Sequence, residues 1–280
     1  MVSYIRLAHP LTSVSAAAAA YTGAVVAGSA FVPERTVLMA LLSVLLITAG
    51  SMVVNDITDA ATDKANSPKR PIPSGKVSKG KATAWAALLL VIGNFIAFYF
   101  LPREALYVTI AATALSVAYH TAAKKIPVAG NVVASALLVV AIFFGSFVQG
   151  DYMSGLNLMV LAFLSHMSYE IYKTVEAAIG DKHTAHRTIA TKVGVIRARM
   201  VGSLFIAAVV IASFVPFFTN IYSAVYLFFA VIADIILVAA AVSPLRLSSK
   251  LIKVAIVIIF LAFLADVYNF REIASPLLLE

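Results

Sequence analysis

The chain has 280 residues, of which 62% are hydrophobic and only 12% are charged, and its formal net charge is +8. Soluble globular domains carry roughly 25% charged residues, so this composition indicates a polytopic membrane protein and not a soluble, nucleic-acid-binding one. The chain contains no cysteine, which excludes disulfides, thiolate metal ligands and cysteine nucleophiles.

Long apolar runs recur along the chain and predict nine transmembrane helices, because a helix needs about 20 apolar residues to cross a bilayer. The predicted spans are 13–32, 37–57, 82–101, 105–122, 127–149, 156–175, 195–215, 221–243 and 251–270. The first is interpreted as a span and not as a cleavable signal, because no strongly basic leader precedes it. We therefore predict an all-α bundle of nine transmembrane helices that forms a single domain over residues 1–280.

The distribution of basic residues predicts how the bundle is oriented. With nine spans, all but three of the 21 Lys and Arg residues fall on one side, and the exceptions are Arg35, Arg103 and Arg271. The positive-inside rule then places the N-terminus in the cytoplasm and the C-terminus outside the cell membrane. The two long loops, roughly 57–81 and 174–194, follow spans two and six. Because these two loops are four spans apart, they suggest four-helix pseudo-repeats over 13–122 and 127–243, with a ninth helix at 251–270.

Four polar side chains, Asn55, Asp56, Asp59 and Asp63, cluster at the end of the second span. On a helix they fall within about one 100° arc. Crowded carboxylates repel one another, and a divalent cation would offset that cost. A solvated, charged loop is the alternative, but the shared arc and the basic segment that follows favour a metal site.

A second charged segment begins on span six. Its members are Glu170, Lys173, Glu176, Asp181, Lys182 and Arg187. Several of them share one face if the helix continues to Asp181. Two acidic walls with interleaved cations suit a Mg²⁺ ion that shares its ligands with a substrate diphosphate. Such a site at the mouth of a helical bundle favours an amphiphilic substrate, with its head at the interface and its tail between apolar helices.

These motifs resemble those of the UbiA superfamily of intramembrane prenyltransferases, and the resemblance covers nearly the whole chain. The matching segments are Asn55-Asp56-x-x-Asp59-x-x-x-Asp63 with Arg70-Pro71-Ile72-Pro73-Ser74-Gly75, then Tyr119, Lys124 and Gly130-Asn131, then Glu170-x-x-Lys173-x-x-Glu176 with Gly180-Asp181 and Arg187-Thr188. The second signature is most similar to that of the archaeal digeranylgeranylglyceryl phosphate synthases. That similarity implies geranylgeranyl diphosphate as donor and the free hydroxyl of geranylgeranylglyceryl phosphate as acceptor.

The resemblance also implies a role for each group of side chains. It implies that Mg²⁺ is held by Asn55, Asp56, Asp59, Asp63 and Asp181. It implies that substrate is bound by Asn55, Lys69, Arg70, Lys124, Glu170, Lys173, Glu176, Lys182 and Arg187. The implied catalytic residues are Asp56, Asp59, Asp63, Tyr119, Lys173 and Asp181. These groups would ionise the prenyl diphosphate at the cytoplasmic face, and the acceptor would capture the allylic cation.

Three positions depart from the family pattern. Ala177 stands where an aspartate is usual, so we expect the first acidic wall to carry more of the metal binding. His9-Pro10 stands where Arg-Pro is common, and Arg6 is the nearest cation in the sequence. Tyr119-His120 replaces a common Tyr-Ser. The last two departures bear on acceptor recognition more than on the chemistry.

Three alternatives remain open on the sequence. The first is an aromatic prenyltransferase that acts on a 4-hydroxybenzoate- or naphthoate-like acceptor. The second is a transporter, since Asp234 and Asp266 lie within predicted spans. Polar pairing across the bundle is favoured for Asp234, and Asp266 is interpreted as structural because it lies near the outer interface. The third is a diphosphate-binding protein inactivated at Ala177. The partners we expect are a prenyl diphosphate, a lipophilic acceptor and the bilayer, with no nucleic acid and no obligate protein partner.

Overall fold

The structure is a computed structural model that describes residues 2–28, 30–180 and 189–270, and its regular elements there are all helical. The helices are α1 Val2–Leu7, α2 Pro10–Val26, α3 Arg35–Asn66, α4 Lys79–Phe100, α5 Arg103–Thr121, α6 Ala129–Val148, α7 Leu156–Gly180, α8 Ile189–Val193, α9 Val195–Ser213, α10 Val215–Phe218, α11 Ala224–Val242 and α12 Leu245–Tyr268, with a short 3-10 turn at Ala123–Lys125 between α5 and α6. The predicted all-α class is therefore confirmed.

Six helical segments are long and apolar enough to cross a bilayer, which makes the chain a multi-pass membrane protein. They are α3, α4, α6, the α9–α10 segment Val195–Phe218, α11 and α12. The predicted spans 13–32, 105–122 and 156–175 fall on α2, α5 and α7, which are helical but are not among the six. The count of nine spans, the cytoplasmic N-terminus and the pseudo-repeats stay predictions.

The long helices pack as a ring in which most neighbours in the chain are also neighbours in space. Each of the helices α2 to α7 contacts the next, α7 contacts α9, α9 contacts α11, and α11 contacts α12, which returns to α2. Helix α6 also contacts α2 and α3, and α7 contacts α12. Helices α3 and α7, which carry the two predicted acidic walls, thus share α6 as a neighbour.

The α2–α6 contact brings backbone against backbone. A Cβ atom on Gly145 would lie 1.8 Å from the carbonyl oxygen of Ala20, and one on Gly23 would lie 2.1 Å from that of Ile142. Ser146 Oγ donates a hydrogen bond of 3.0 Å to the Gly23 carbonyl oxygen. Small residues stabilise helix pairs in membranes by permitting this close approach. The contact therefore fixes the position of α6, which packs against both α3 and α7.

Polar pairs join other helices within the bundle, as expected for Asp234 and Asp266. Ser213 Oγ of α9 donates to Asp234 Oδ2 of α11 at 2.7 Å. Asp266 Oδ1 of α12 accepts from the backbone N–H groups of Ser223 and Tyr226 at 2.9 and 3.2 Å, so it caps the start of α11. Both acids therefore have structural contacts.

We expect Gly145→Ala to lower the thermal unfolding midpoint of the purified protein by about 3 °C or more, because overpacking a tight contact costs about 1–3 kcal/mol. Gly80→Ala is the matched control, since a Cβ atom at Gly80 would meet no atom within 4 Å. Midpoints measured by fluorescence-detected unfolding in detergent check this. An unchanged midpoint for Gly145→Ala would mean that α2 and α6 are not in this contact.

Candidate active site

The first acidic wall is carried by one unbroken helix. Helix α3 continues to Asn66, so the predicted loop of 57–81 is helical in its first part and Asn55, Asp56, Asp59 and Asp63 share a continuous helix. Asp56 and Asp63 are buried, with 3% and 8% of their surface exposed, while Asn55 and Asp59 are half-buried. Buried carboxylates need charged partners, and each of these aspartates has one.

Arg70 and His9 contact the buried pair, Asp56 and Asp63. The Arg70 guanidinium donates to Asp63 Oδ2 at 2.7 Å and approaches Asp56 Oδ1 at 3.4 Å. His9 Nε2 lies 3.1 Å from both carboxylate oxygens of Asp56. These two side chains come from different segments, since His9 lies between α1 and α2 and Arg70 follows α3.

The segment after α3 holds Arg70 in place by folding back on itself. The Ser74 N–H donates to the Arg70 carbonyl oxygen and the Val77 N–H to that of Pro71, both at 3.0 Å. Ile72 and Val77 are buried in an apolar cluster with residues of α1, α3 and α4. The proline-rich segment therefore positions the Arg70 guanidinium against α3, the helix that precedes this segment.

Lys124 contacts the same face of α3 from the connection between α5 and α6. Its ammonium donates to Asp59 Oδ1 at 2.5 Å, to Asn55 Oδ1 at 2.9 Å and to Thr58 Oγ1 at 3.3 Å. His120 Nδ1 lies 3.0 Å from the same Asn55 oxygen. The α5–α6 connection thus lies against the acidic face of α3.

The second wall is built around Glu170 on α7. Glu170 is 5% exposed and forms a salt bridge with Lys173, one turn further along the helix. Glu176 lies elsewhere: its carboxylate accepts a 2.8 Å hydrogen bond from Ser249 Oγ of α12, and no described residue of the first wall contacts it. Helix α7 continues to Gly180, as the shared face required, and Ala177 is exposed.

Tyr119 lies at the end of α5, where its ring is 4.8 Å from that of His120, centroid to centroid. Lys69 lines a cavity of about 450 Å³ on the other side of α3 together with Arg6, His9, Asp56 and Arg70. Three of the predicted residues, Asp181, Lys182 and Arg187, lie outside the described residues.

The donor atoms of the first wall fit a hard divalent cation in their chemistry. Asn55, Asp56, Asp59 and Asp63 present amide and carboxylate oxygens, the ligands that Mg²⁺ prefers. In residues 2–28, 30–180 and 189–270, no three Asp, Glu or His side chains converge as a metal site. The reason is visible in the contacts above: a guanidinium, an ammonium and an imidazole each take carboxylate oxygens that an ion would need.

Sequence reasoning missed two histidines of this site. It treated His9 as a departure and pointed to Arg6, yet His9 itself contacts Asp56. It related His120 only to acceptor recognition, yet His120 contacts Asn55 on the acidic helix. The available signal was position: both occur at motif positions where the family usually has another polar residue.

Comparison with known proteins decides the family. A sequence model of the UbiA prenyltransferase family matches residues 16–266. The chain belongs to this family. It is also 30% identical to the digeranylgeranylglyceryl phosphate synthase of Pyrococcus furiosus over 271 residues, which cover 94% of this chain and 96% of that protein. The chain is therefore a membrane-embedded prenyltransferase, as the motifs predicted.

Solved structures of UbiA family members share the fold. One, described as digeranylgeranylglyceryl phosphate synthase in membranes, superposes with a TM-score of 0.81 at 25% identity, over 95% of this chain and 98% of that one. A UbiA homologue from Archaeoglobus fulgidus bound to GPP and Mg²⁺ superposes with a TM-score of 0.72 at 18% identity, over 95% and 99% of the two chains. The predicted transporter alternative is not retained, because the family is one of enzymes.

We expect Lys124→Met to lower kcat/KM for the prenyl diphosphate about 100-fold, because a preorganised cation that stabilises the leaving group is lost. Lys125→Met is the matched control: Lys125 is adjacent and exposed, and the structure gives its ammonium no carboxylate partner in the described chain. Initial rates of diphosphate release by both variants test this. Equal rates would remove Lys124 from the site.

Proposed function

We propose that this protein transfers a prenyl group, favoured to be geranylgeranyl, from its diphosphate to the free hydroxyl of geranylgeranylglyceryl phosphate. The observation that carries the proposal is the convergence of Arg70 and Lys124 on the acidic face of α3 from two separate segments. Cations beside carboxylates suit a substrate that brings a divalent metal and a diphosphate together. Similarity to digeranylgeranylglyceryl phosphate synthases supports this choice of acceptor.

In this scheme Asn55, Asp56, Asp59 and Asp63 would hold Mg²⁺, together with Asp181 beyond the described residues. The Mg²⁺-bound homologue supports this choice of metal. When bound, the ion supplies positive charge that lowers the cost of diphosphate departure. With the ion bound, the carboxylates would no longer need Arg70 and Lys124 as partners, and these two cations would be available to the diphosphate oxygens. Binding would thus exchange one set of ion pairs for another.

The remaining residues act on the reacting end of the prenyl chain. Lys173 binds diphosphate from the opposite wall, and Glu170 holds its ammonium in position. Tyr119, beside His120 at the end of α5, offers an aromatic face that would stabilise an allylic cation. The apolar helices around the chain exclude water, which would otherwise capture the cation. The active site faces the cytoplasm in this proposal, as the basic residues predict.

An acceptor panel tests the proposed activity. With purified protein, Mg²⁺ and radiolabelled geranylgeranyl diphosphate, we expect label in geranylgeranylglyceryl phosphate and none in 4-hydroxybenzoate or a naphthoate. The physical reason is that an alkyl hydroxyl and an aromatic ring carbon need different placement against the cation. Label in the aromatic acceptors alone would overturn the lipid-ether proposal in favour of quinone-type chemistry.

Ala177 offers a second test, directed at the metal. We expect Ala177→Asp to lower the Mg²⁺ concentration for half-maximal activity about tenfold, because it adds a carboxylate to an exposed position on the second wall. Ala177→Asn is the neutral control and should leave the Mg²⁺ dependence within twofold of the original. An inactive original protein that Ala177→Asp restores would instead support an inactivated diphosphate-binding protein.

A further inference from the structure

A second cluster of polar groups lies on the face of α7 that turns toward α12. The ring of Tyr169 has the Lys173 ammonium 5.4 Å from its centroid and the Lys253 ammonium, from α12, 5.1 Å away. The ring of His166 lies 5.6 Å from that of Tyr169. We call His166, Tyr169 and Lys253 the α7–α12 cluster. Its members lie beside the diphosphate site but contact none of the α3 carboxylates.

His166 is held by one of its nitrogens and leaves the other without a protein partner. Its Nδ1 lies 3.1 Å from Ser135 Oγ of α6, a fully buried hydroxyl. In the part of the chain that the structure describes, no further hydrogen bond reaches the ring, which is half-buried. With Nδ1–H donating to Ser135, the lone pair of Nε2 remains available. Glu170 follows four residues later, so His166 lies on the same face, about 6 Å deeper along α7.

Lys253 is a cation that lacks an anion. Lys173 is paired with Glu170, but across the described ranges no carboxylate lies within salt-bridge distance of Lys253. Its ammonium approaches the face of Tyr169, a half-buried residue that packs against the main apolar core. Lys253 is itself exposed, so its ammonium is accessible to a ligand. A bound anionic group would supply the missing opposite charge.

We propose that the α7–α12 cluster binds the acceptor: Lys253 holds its phosphate, and His166 receives the proton of the attacking hydroxyl. This rests on the proposed function, which supplies an acceptor that carries both groups. The hydroxyl oxygen forms a bond to C1 of the prenyl chain. The bond from C1 to the diphosphate oxygen breaks, and its electron pair leaves with diphosphate. The hydroxyl proton passes to His166 Nε2, whose other nitrogen stays on Ser135.

This assignment gives the two phosphorylated substrates separate anchors. The donor's diphosphate lies between Arg70, Lys124 and Lys173, and the acceptor's phosphate lies at Lys253. Lys173 stands between the two positions, since its ammonium is close to both Glu170 and Tyr169. The cluster therefore explains how an enzyme with one acidic face discriminates between two anionic lipids.

Equilibrium binding tests the phosphate anchor without any turnover. Binding of geranylgeranylglyceryl phosphate and of geranylgeranylglycerol, which lacks the phosphate, is measured without donor. We expect the original protein to favour the phosphorylated lipid at least tenfold and Lys253→Met to reduce that preference below threefold. Lys250→Met, an exposed lysine on the same helix, is the matched control and should retain the preference. Equal loss in both variants, or no preference in the original protein, would overturn the assignment.

His166 is tested by the same kind of binding comparison, with a deoxy analogue of the acceptor that lacks the free hydroxyl. The original protein should bind the deoxy analogue about fivefold more weakly than the acceptor, and His166→Ala should bind the two alike. Unchanged affinity for geranylgeranyl diphosphate shows that His166→Ala is folded. His166→Gln should also lower kcat about 100-fold while the acceptor KM stays within threefold. A full kcat in His166→Gln, or a retained hydroxyl preference in His166→Ala, would remove His166 from the site.

These experiments distinguish a failure of the proposed function from a failure of the proposed acceptor site at the α7–α12 cluster. If both binding preferences are present but no label reaches geranylgeranylglyceryl phosphate, the proposed function is wrong and the binding cluster stands. If label is transferred but Lys253→Met and His166→Ala keep the original preferences, the function stands and the cluster is wrong.

Discussion

The structure depends on how four oxygen-bearing side chains are kept together at one end of an apolar bundle. Asp56, Asp59 and Asp63 would repel one another and lose hydration, and the cations Arg70 and Lys124 offset this cost. These two side chains and His9 come from three separate connections, and all three contact α3. The acidic helix thus organises the loops around it. The proline-rich segment positions Arg70, and the 3-10 turn carries Lys124, so each brings a positive charge to α3.

This charge balance explains how the protein can fold before any substrate is present. In the substrate-free state the cations serve as counter-ions for the carboxylates. In the proposed scheme, a bound metal and a bound diphosphate would give each set of charges a new partner of opposite sign. The affinity of the site would then be the difference between two sets of ion pairs.

Much of this arrangement could be predicted from the sequence, because it follows from local geometry. Residues 55, 56, 59 and 63 share a helical arc whether or not the rest of the fold is known, and α3 places them as expected. Contacts between distant segments could not be predicted in the same way. Nothing local shows that His9 reaches Asp56 across 47 residues, or that Glu176 faces Ser249 of α12. The helix also continued beyond the expected loop boundary, since polar residues do not by themselves end a helix.

The length of α3 has a consequence for how an amphiphile meets the site. Its 32 residues make a rod of about 48 Å, longer than the roughly 30 Å hydrocarbon core of a bilayer. Asn55 and Asp63 lie about 12 Å apart along that rod. The four oxygen-bearing side chains are therefore spread along the helix axis and do not lie at one level. A head group that binds all of them, as proposed, would extend over about two turns of α3.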